Sequence, residues 1–277
     1  MITGKTKLIA HVGYPTESFR APMIYNPYFK KHSIDAVVVP MGCRAEDYPH
    51  FLPLLFRLSN IHGALITMPH KVTTLDLLDE VMTTAKIAGS CNAIRLTPEG
   101  KLIGDMFDGE GFVRGLLRKG CVLDGARVFV AGCGGVGSAI AASLAKAGVT
   151  HLRLHDAYAP IMHGLADRLK THYPSLTLEV GENDPSAMDV VVNATPLGMK
   201  EGDPLPMDVS RIGPDTFVGE VVMKQEITPF LQAVIDKGCR YQIGSDMLFE
   251  QIPAYLEFFG FRTTTPDELR DVAELSY

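Results

Sequence analysis

Cysteine is sparse and unpatterned in this chain. Cys43, Cys91, Cys121, Cys133 and Cys239 are odd in number and never spaced C-x-x-C, which argues against a disulfide framework and against a zinc site. The nine histidines include no H-E-x-x-H spacing, so no metal is expected. Basic charge is not in excess. With 26 Lys and Arg against 32 Asp and Glu, the net charge is −6, and neither nucleic acid nor an anionic membrane is an expected partner. No apolar run reaches spanning length, and Met1-Ile2-Thr3-Gly4-Lys5-Thr6-Lys7 lacks the apolar stretch of a signal peptide, so a cytoplasmic location is expected. Internal repeats and low-complexity linkers are absent too. What remains is a folding chain of 277 residues, 46% of them hydrophobic, long enough for two modest domains.

One stretch organises the rest. Val128-Phe129-Val130-Ala131 is a short apolar run that feeds Gly132-Cys133-Gly134-Gly135-Val136-Gly137 and then the alanine-rich Ser138-Ala139-Ile140-Ala141-Ala142. Gly132, Gly134 and Gly137 stand in G-x-G-x-x-G order. The first permits the tight turn, the second lets backbone approach a pyrophosphate, and the third lets helix pack on strand. Gly135 and Val136 complete the loop. A helix from about Gly137 to Ala147 then offers its unpaired N–H groups and positive dipole end to phosphates. His151 to Asp156 reads as the next strand, with Leu152 and Leu154 inward. Asp156 lies roughly twenty residues past the loop, where an acid can accept hydrogen bonds from an adenosine ribose. The same carboxylate repels a 2′-phosphate, so NAD is expected over NADP. Taken alone, Asp156 reads equally well as the start of an exposed turn or a cap for the next helix.

The first third of the chain alternates strand-like and helix-like segments. Lys7 to Gly13, Ile34 to Pro40 and Gly63 to Met68 read as strands, the second with Val37-Val38-Val39 buried on both faces. Helices are expected over Ala21 to Lys31 and around Phe51 to Leu58. Such alternation implies an α/β fold with a mostly parallel sheet. Asn92 to Leu96 and Lys101 to Met106, joined by Thr97-Pro98-Glu99-Gly100, carry a hairpin signal. Phe112 to Leu117 reads as a helix bridging into the glycine-loop domain. That domain continues with strands near Leu176 to Val180, Asp189 to Asn193 and Phe217 to Val222, and with helices around Ile161 to Leu169 and Pro229 to Lys237. The helical segments Leu248 to Phe258 and Pro266 to Leu275 have no strands of their own. At least the first is expected to return to the amino-terminal domain.

Several separated segments together resemble the shikimate dehydrogenase family, in order along nearly the whole chain. They are Gly13-Tyr14-Pro15 with Pro22 and Asn26, Thr67-Met68-Pro69-His70-Lys71, Gly89-Ser90-Cys91-Asn92, and Gly104 to Phe112 around Asp108. The glycine loop, Asn193-Ala194-Thr195-Pro196-Leu197-Gly198-Met199, Thr228-Pro229 and Gly244 to Gln251 complete the set. The resemblance implies a substrate-binding domain over residues 1–108, completed by helices within 246–277, and a Rossmann-like NAD(P)-binding domain over 109–245, with hydride transfer in the cleft between them. It also implies catalytic roles for Lys71 and Asp108. Oxidising a secondary alcohol requires removal of the hydroxyl proton, which a positioned Lys–Asp pair can relay. Singly, Lys71 also reads as an exposed helix-start lysine and Asp108 as an N-cap. Thr67, Asn92 and Gln251 match substrate-contacting positions, though Asn92 also suits a turn and Gln251 a solvated helix face. Asn193, Thr195, Gly244 and Met247 match positions bordering the cofactor, and Met247 equally suits ordinary core packing.

The chain departs from the family pattern at the substrate end. Phe19 and Ala21 stand where shikimate-specific members carry serines for the substrate carboxylate. Leu65 replaces an asparagine, Met106-Phe107 an Asn-Thr pair, and Met223 a tyrosine. Each exchange removes a hydrogen-bonding group. Arg20 could supply a bidentate carboxylate clamp instead, or be a solvated first-turn arginine. These changes, with Asp156, look like the NAD-preferring RifI-type branch associated with aminoshikimate. The leading expectation is therefore an oxidoreductase acting on a shikimate- or aminoshikimate-like cyclic carboxylate. A dehydrogenase for a less polar alcohol and a non-catalytic NAD-binding sensor are the alternatives. Oligomeric state is not legible, and a homodimer stays open.

Overall fold

In the computed structural model, which describes residues 2–275, the first strands are β1 (Lys7–Gly13), β2 (Ala36–Gly42) and β3 (Ile61–Ile66), alternating with helices α1 (Ala21–Lys31) and α2 (Tyr48–Leu55). Met1, Ser276 and Tyr277, which end the expected domain spans, lie outside the described residues. β1 runs parallel to β2 and β3. The direction then reverses. After β4 (Glu80–Val81) and α3 (Thr83–Ala88), β5 (Ala93–Leu96) and β6 (Leu102–Asp105) form the antiparallel hairpin, and β5 pairs antiparallel with β3. The six-stranded order is β2-β1-β3-β5-β6-β4. Val38 is buried, but Val37 and Val39 are only half-buried. Burial on both faces fails there because β2 is the edge of its sheet and has a neighbour on one side only.

The glycine-loop sheet is wholly parallel. After α4 (Asp108–Arg118) come β7 (Arg127–Ala131), α5 (Gly135–Lys146), β8 (His151–His155), α6 (Ala159–His172), β9 (Thr177–Val180), β10 (Val190–Asn193), β11 (Phe217–Glu220), α7 (Pro229–Ile235) and β12 (Arg240–Gln242). Their order is β12-β11-β10-β7-β8-β9. The chain thus winds outward from β7 to β9, then crosses back to lay β10 on the other side of β7. That reversal leaves a crevice beyond the carboxyl ends of β7 and β10, where open α/β sheets take their ligands. Register Asn193↔Ala131 brings those two ends level. Val190, Val191 and Val192 are all buried, as strands covered on both faces require. Phe129, Val191, Val218, Phe230 and Val234 share one core cluster. Helix α7 is capped by Thr228, whose Oγ1 accepts from Leu231 N at 3.1 Å.

Two helices follow, α8 (Gly244–Phe258) and α9 (Pro266–Val272). The chain divides into one unit of Met1–Phe107 with Ile252–Tyr277, and a second of Asp108–Gln251. Asp108 and the first half of α8 therefore count with the glycine-loop unit. Within the first unit α9 packs on α1. Glu268 accepts from His32 Nε2 at 2.8 Å and pairs with Lys31 Nζ at 3.1 Å. Among the described residues no helix is long and apolar enough to cross a membrane. All five cysteines are buried free thiols.

Candidate active site

In the first unit, the candidate residues gather where β1 and β3 end. Thr67 N donates to Val12 O at 2.9 Å and Tyr14 N to Met68 O at 3.0 Å, so the two strand ends are locked side by side. A Cβ on Gly13 would strike Thr67 Cγ2 and the Phe19 ring, so only glycine lets these two side chains close over the strand end. Phe19 in turn stacks on His11, with ring centroids 4.1 Å apart and planes 27° from parallel. Two residues apart on β1, His11 and Gly13 share a sheet face. Arg20 is exposed at the N-cap of α1.

Lys71 follows in the turn after β3, half-buried and ahead of a short 3-10 helix, Thr73–Leu77. That turn is held from below. His70 stacks on Tyr48 with centroids 4.0 Å apart, and its Nε2 lies 2.8 Å from Cys43 O. Thr74 Oγ1 donates to His70 O at 2.9 Å and lies 2.7 Å from Tyr48 Oη. The Lys71 cation is felt by its neighbours. Burial first, and then that charge, hold the His11 imidazole down to about 4. Burial pushes the Cys91 thiol up to about 12, partly offset by its hydrogen bond to the Ala93 carbonyl and then by the same cation, and leaves it inert.

Cys91 and Asn92 pin two further segments. Cys91 N donates to Lys71 O at 2.8 Å. Asn92, buried, accepts through Oδ1 from Phe107 N at 2.9 Å, one residue before Asp108. Phe107 is also gripped by Tyr255 and Phe258, with centroids 4.9 and 5.2 Å away. Its ring is thus an anchor for the chain entering Asp108.

In the second unit Asp108 is buried at the start of α4. The next residue explains why α4 lies so close to α5: a Cβ on Gly109 would strike the Ala139 carbonyl. Farther along α4, a Cβ on Gly111 would lie 2.6 Å from Gln251 Cβ and 2.7 Å from Met247 O. Gln251 therefore packs on α4, with its Oε1 buried, rather than lying on a solvated face. Met247 is buried beside it.

The glycine loop divides its labour as its sequence implies. Gly132 has φ +95°, and a Cβ there would lie 2.6 Å from the Ala194 backbone. At Gly137 a Cβ would strike the Gly132 carbonyl. Around Gly134 and Gly135, by contrast, a Cβ meets nothing within 4 Å, and both are exposed at the N-terminus of α5. Helix α5 begins at Gly135, two residues before the expected start, because Gly134 takes the N-cap position in extended backbone. Two glycines make the turn and two leave room for a ligand. This cradle fits a dinucleotide pyrophosphate bound by backbone N–H groups. Val136 is half-buried at the same helix start.

Asp156 proves to be a brace for this loop. Its Oδ2 accepts from Cys133 N at 2.7 Å and its Oδ1 from Tyr158 N at 2.8 Å. Across the crevice floor, Asn193 Oδ1 accepts from Thr195 N at 3.1 Å and from Thr195 Oγ1 at 2.7 Å. Asn193 Nδ2 donates to Glu220 Oε2 at 3.3 Å, and burial pushes that carboxyl upward. Gly244 packs on the Val222 carbonyl, which leaves no room for a side chain. Two features lie outside the expected set, His11 and the Tyr48–His70 stack. His11 shares its strand face with Gly13, a parity visible in the sequence.

A family model for the shikimate dehydrogenase substrate binding domain matches residues 12–94. The shikimate dehydrogenase (NADP(+)) of Rhodospirillum rubrum is 30% identical over 277 residues, which cover 98% of each chain. Among solved structures, a shikimate 5-dehydrogenase from Listeria monocytogenes in complex with shikimate and NAD superposes with TM-score 0.91 at 23% identity, covering 98% of this chain and 97% of that one. A 5-ketofructose reductase of Gluconobacter sp. strain CHM43 gives TM-score 0.88 at 25% identity, covering 98% and 99%. The expected preference for NAD over NADP is overturned by the curated relatives, which are named for NADP(+), although the Listeria structure holds NAD. The physical reason lies in Asp156: a carboxylate that braces the loop through two backbone N–H groups is explained without any ribose. A relationship that runs from end to end of both chains, over a fold whose strand order and glycine loop agree with it, makes this chain a member of the shikimate dehydrogenase family.

Proposed function

We propose that the chain is an alcohol dehydrogenase that oxidises a ring hydroxyl to a ketone, and reverses that step, with Lys71 and Asp108 as its acid–base pair. The first unit supplies Thr67, Lys71 and Asn92 to the substrate, and the second supplies Asp108 and Gln251 as well as the dinucleotide cradle. One observation carries this reading: consecutive residues fix both reacting segments, Cys91 through the Lys71 carbonyl and Asn92 through Phe107, the residue before Asp108. Positioning of this kind is what proton relay needs. When bound, a nicotinamide dinucleotide supplies the hydride acceptor, or the donor in reverse, and the glycine loop with Asn193, Thr195, Gly244 and Met247 would hold it. Within the pair the Asp108 carboxylate accepts the hydroxyl proton, while the Lys71 ammonium donates a hydrogen bond to the oxygen as alkoxide character develops. Thr67, Asn92 and Gln251 hold the substrate.

A shikimate- or aminoshikimate-like cyclic carboxylate is the substrate class that the family suggests, with Arg20 as the candidate cation for its carboxylate. Affinity with the RifI-type branch rests on Phe19, Ala21, Leu65, Met106-Phe107 and Met223, without the cofactor preference. A second reading, a less polar alcohol, is favoured by the Phe19 ring lying on His11 where hydroxyls would meet a carboxylate. The Gluconobacter relative, named for reducing 5-ketofructose, is consistent with that second reading.

Initial rates with shikimate, aminoshikimate and quinate, each with NADP(+) and NAD, test the proposal. Turnover of shikimate or aminoshikimate is expected, and its loss in Lys71→Met and Asp108→Asn. Silence on all three compounds while the dinucleotide still binds would reject the substrate class; unchanged rates in the two variants would reject the pair.

A further inference from the structure

We propose that the His11–Phe19 stack is the specificity-determining face of the substrate unit and selects a ligand that brings no carboxylate to this end of the site. The inference rests on the dehydrogenase reading above and takes its second form, in which an uncharged cyclic alcohol or ketone is preferred to the cyclic carboxylate.

The argument begins with strand register. His11 on β1 pairs with Leu65 on β3, so their side chains stand side by side on one face of the sheet. Gly13 and Thr67 continue that face toward the strand ends, and the Phe19 ring closes over it, touching the position where a Gly13 Cβ would be. His11, Phe19 and Thr67 thus adjoin on this face, with Leu65 beside His11 beneath them. Leu65 is buried and contributes no polar atom. Phe19 contributes only a ring face, whose electron-rich quadrupole repels an anion.

His11 is the one titratable member, and its surroundings keep it neutral. The ring is stacked under Phe19, its Nδ1 is buried without a hydrogen-bond partner among the described residues, and the Lys71 cation lies close enough to oppose a second positive charge. A neutral imidazole offers a carboxylate no ion pair. A carboxylate placed here would lose its water against an aromatic ring and an aliphatic side chain, with the neighbouring Lys71 cation, already assigned to the proton relay, to offset that cost. An uncharged hydroxyl- or carbonyl-bearing ring loses far less. Stacking on an aromatic face suits such a ring, and Thr67 at the margin can hydrogen-bond it.

Shikimate and its methyl ester share the ring and differ in the charge, so they read this selection directly. Binding of each to the wild-type protein with NADP(+) present, measured by isothermal titration calorimetry, should favour the ester by about tenfold or more, the scale of one charged contact. In His11→Val and in Phe19→Ser the ratio should fall to about threefold or less, or reverse. A ratio is insensitive to partial misfolding, so reduced stability of either variant does not imitate the result. Equal or tighter binding of the acid by the wild type, an unchanged ratio in both variants, or binding of neither compound would each overturn the inference. Turnover is measured in parallel. Ester binding with the expected ratio but no oxidation would reject the dehydrogenase reading and leave the selection standing.

Discussion

Asp156 Oδ2 accepts a hydrogen bond from Cys133 N at 2.7 Å, tying the end of β8 to the glycine loop 23 residues earlier. With Oδ1 on Tyr158 N, the carboxylate fixes both the loop and the turn that follows β8. Replacing Asp156 with Ala should therefore raise KM for NAD and NADP(+) by similar factors, on the order of tenfold, through loss of one charge-assisted bond worth about 1.5–3 kcal/mol. Steady-state kinetics with both cofactors decide this. A change confined to one of them would show that the carboxylate reads the ribose instead.

The glycines predict two different kinds of failure. Ala at Gly137 drives its Cβ into the Gly132 carbonyl, a backbone atom that cannot yield cheaply. Gly137→Ala should lower the melting temperature and abolish dinucleotide binding together. Ala at Gly134 meets nothing within 4 Å and keeps a φ of −66° that any residue adopts. Gly134→Ala should keep the melting temperature within a degree or two, about the effect of a few tenths of a kcal/mol, yet weaken dinucleotide binding by filling the ligand's space. Thermal melts with and without cofactor separate the two cases, and loss of stability in Gly134→Ala would contradict the assignment of that space.

Why the loop was legible and the substrate end was not follows from the range of the interactions. Each loop glycine answers a local demand, a positive φ at Gly132 or a close approach at Gly137, so residue type and spacing suffice. Asp156 satisfies two demands with one residue type, and the sequence does not say which applies. Phe19 was readable as an absent serine hydroxyl, but its partner His11 lies on another element. Only folding brings the rings to 4.1 Å. The same holds for Phe107, whose role depends on Tyr255 and Phe258 far along the chain. Strand ends differ from expectation by up to two residues for a similar reason, since pairing partners set where a strand stops.

Lys71→Met and Asp108→Asn should each lower kcat by about 10²–10⁴-fold, the usual contribution of a positioned acid or base, with little change in dinucleotide affinity. Lys71→Met carries a second, independent signature. Removing the cation relieves His11, so the imidazole should titrate at higher pH in Lys71→Met than in the wild type, as followed by NMR. Unaltered His11 titration would mean that the two side chains do not sense one another in solution.

His11 also sets a pH dependence of stability. Its folded-state value of about 4 lies below the ordinary imidazole value of about 6.5, chiefly through burial and secondarily through Lys71. The unfolded chain therefore takes up the proton first as pH falls. Stability present above about 6.5 is lost progressively toward about 4, by roughly 1–3 kcal/mol for a half-buried ring. Other groups titrate nearby, Glu268 among them, whose carboxyl is held down to about 2 by Thr264, Lys31 and His32 and matters only at lower pH. Comparison with His11→Val isolates the histidine. Urea unfolding at pH 7.5 and 4.5 should show the wild type losing more free energy than the variant over that interval, by about 1–3 kcal/mol. Parallel losses in the two proteins would mean that His11 titrates as it does in the unfolded chain. The stack would then not keep the imidazole neutral, and selection against a carboxylate would lose its electrostatic basis.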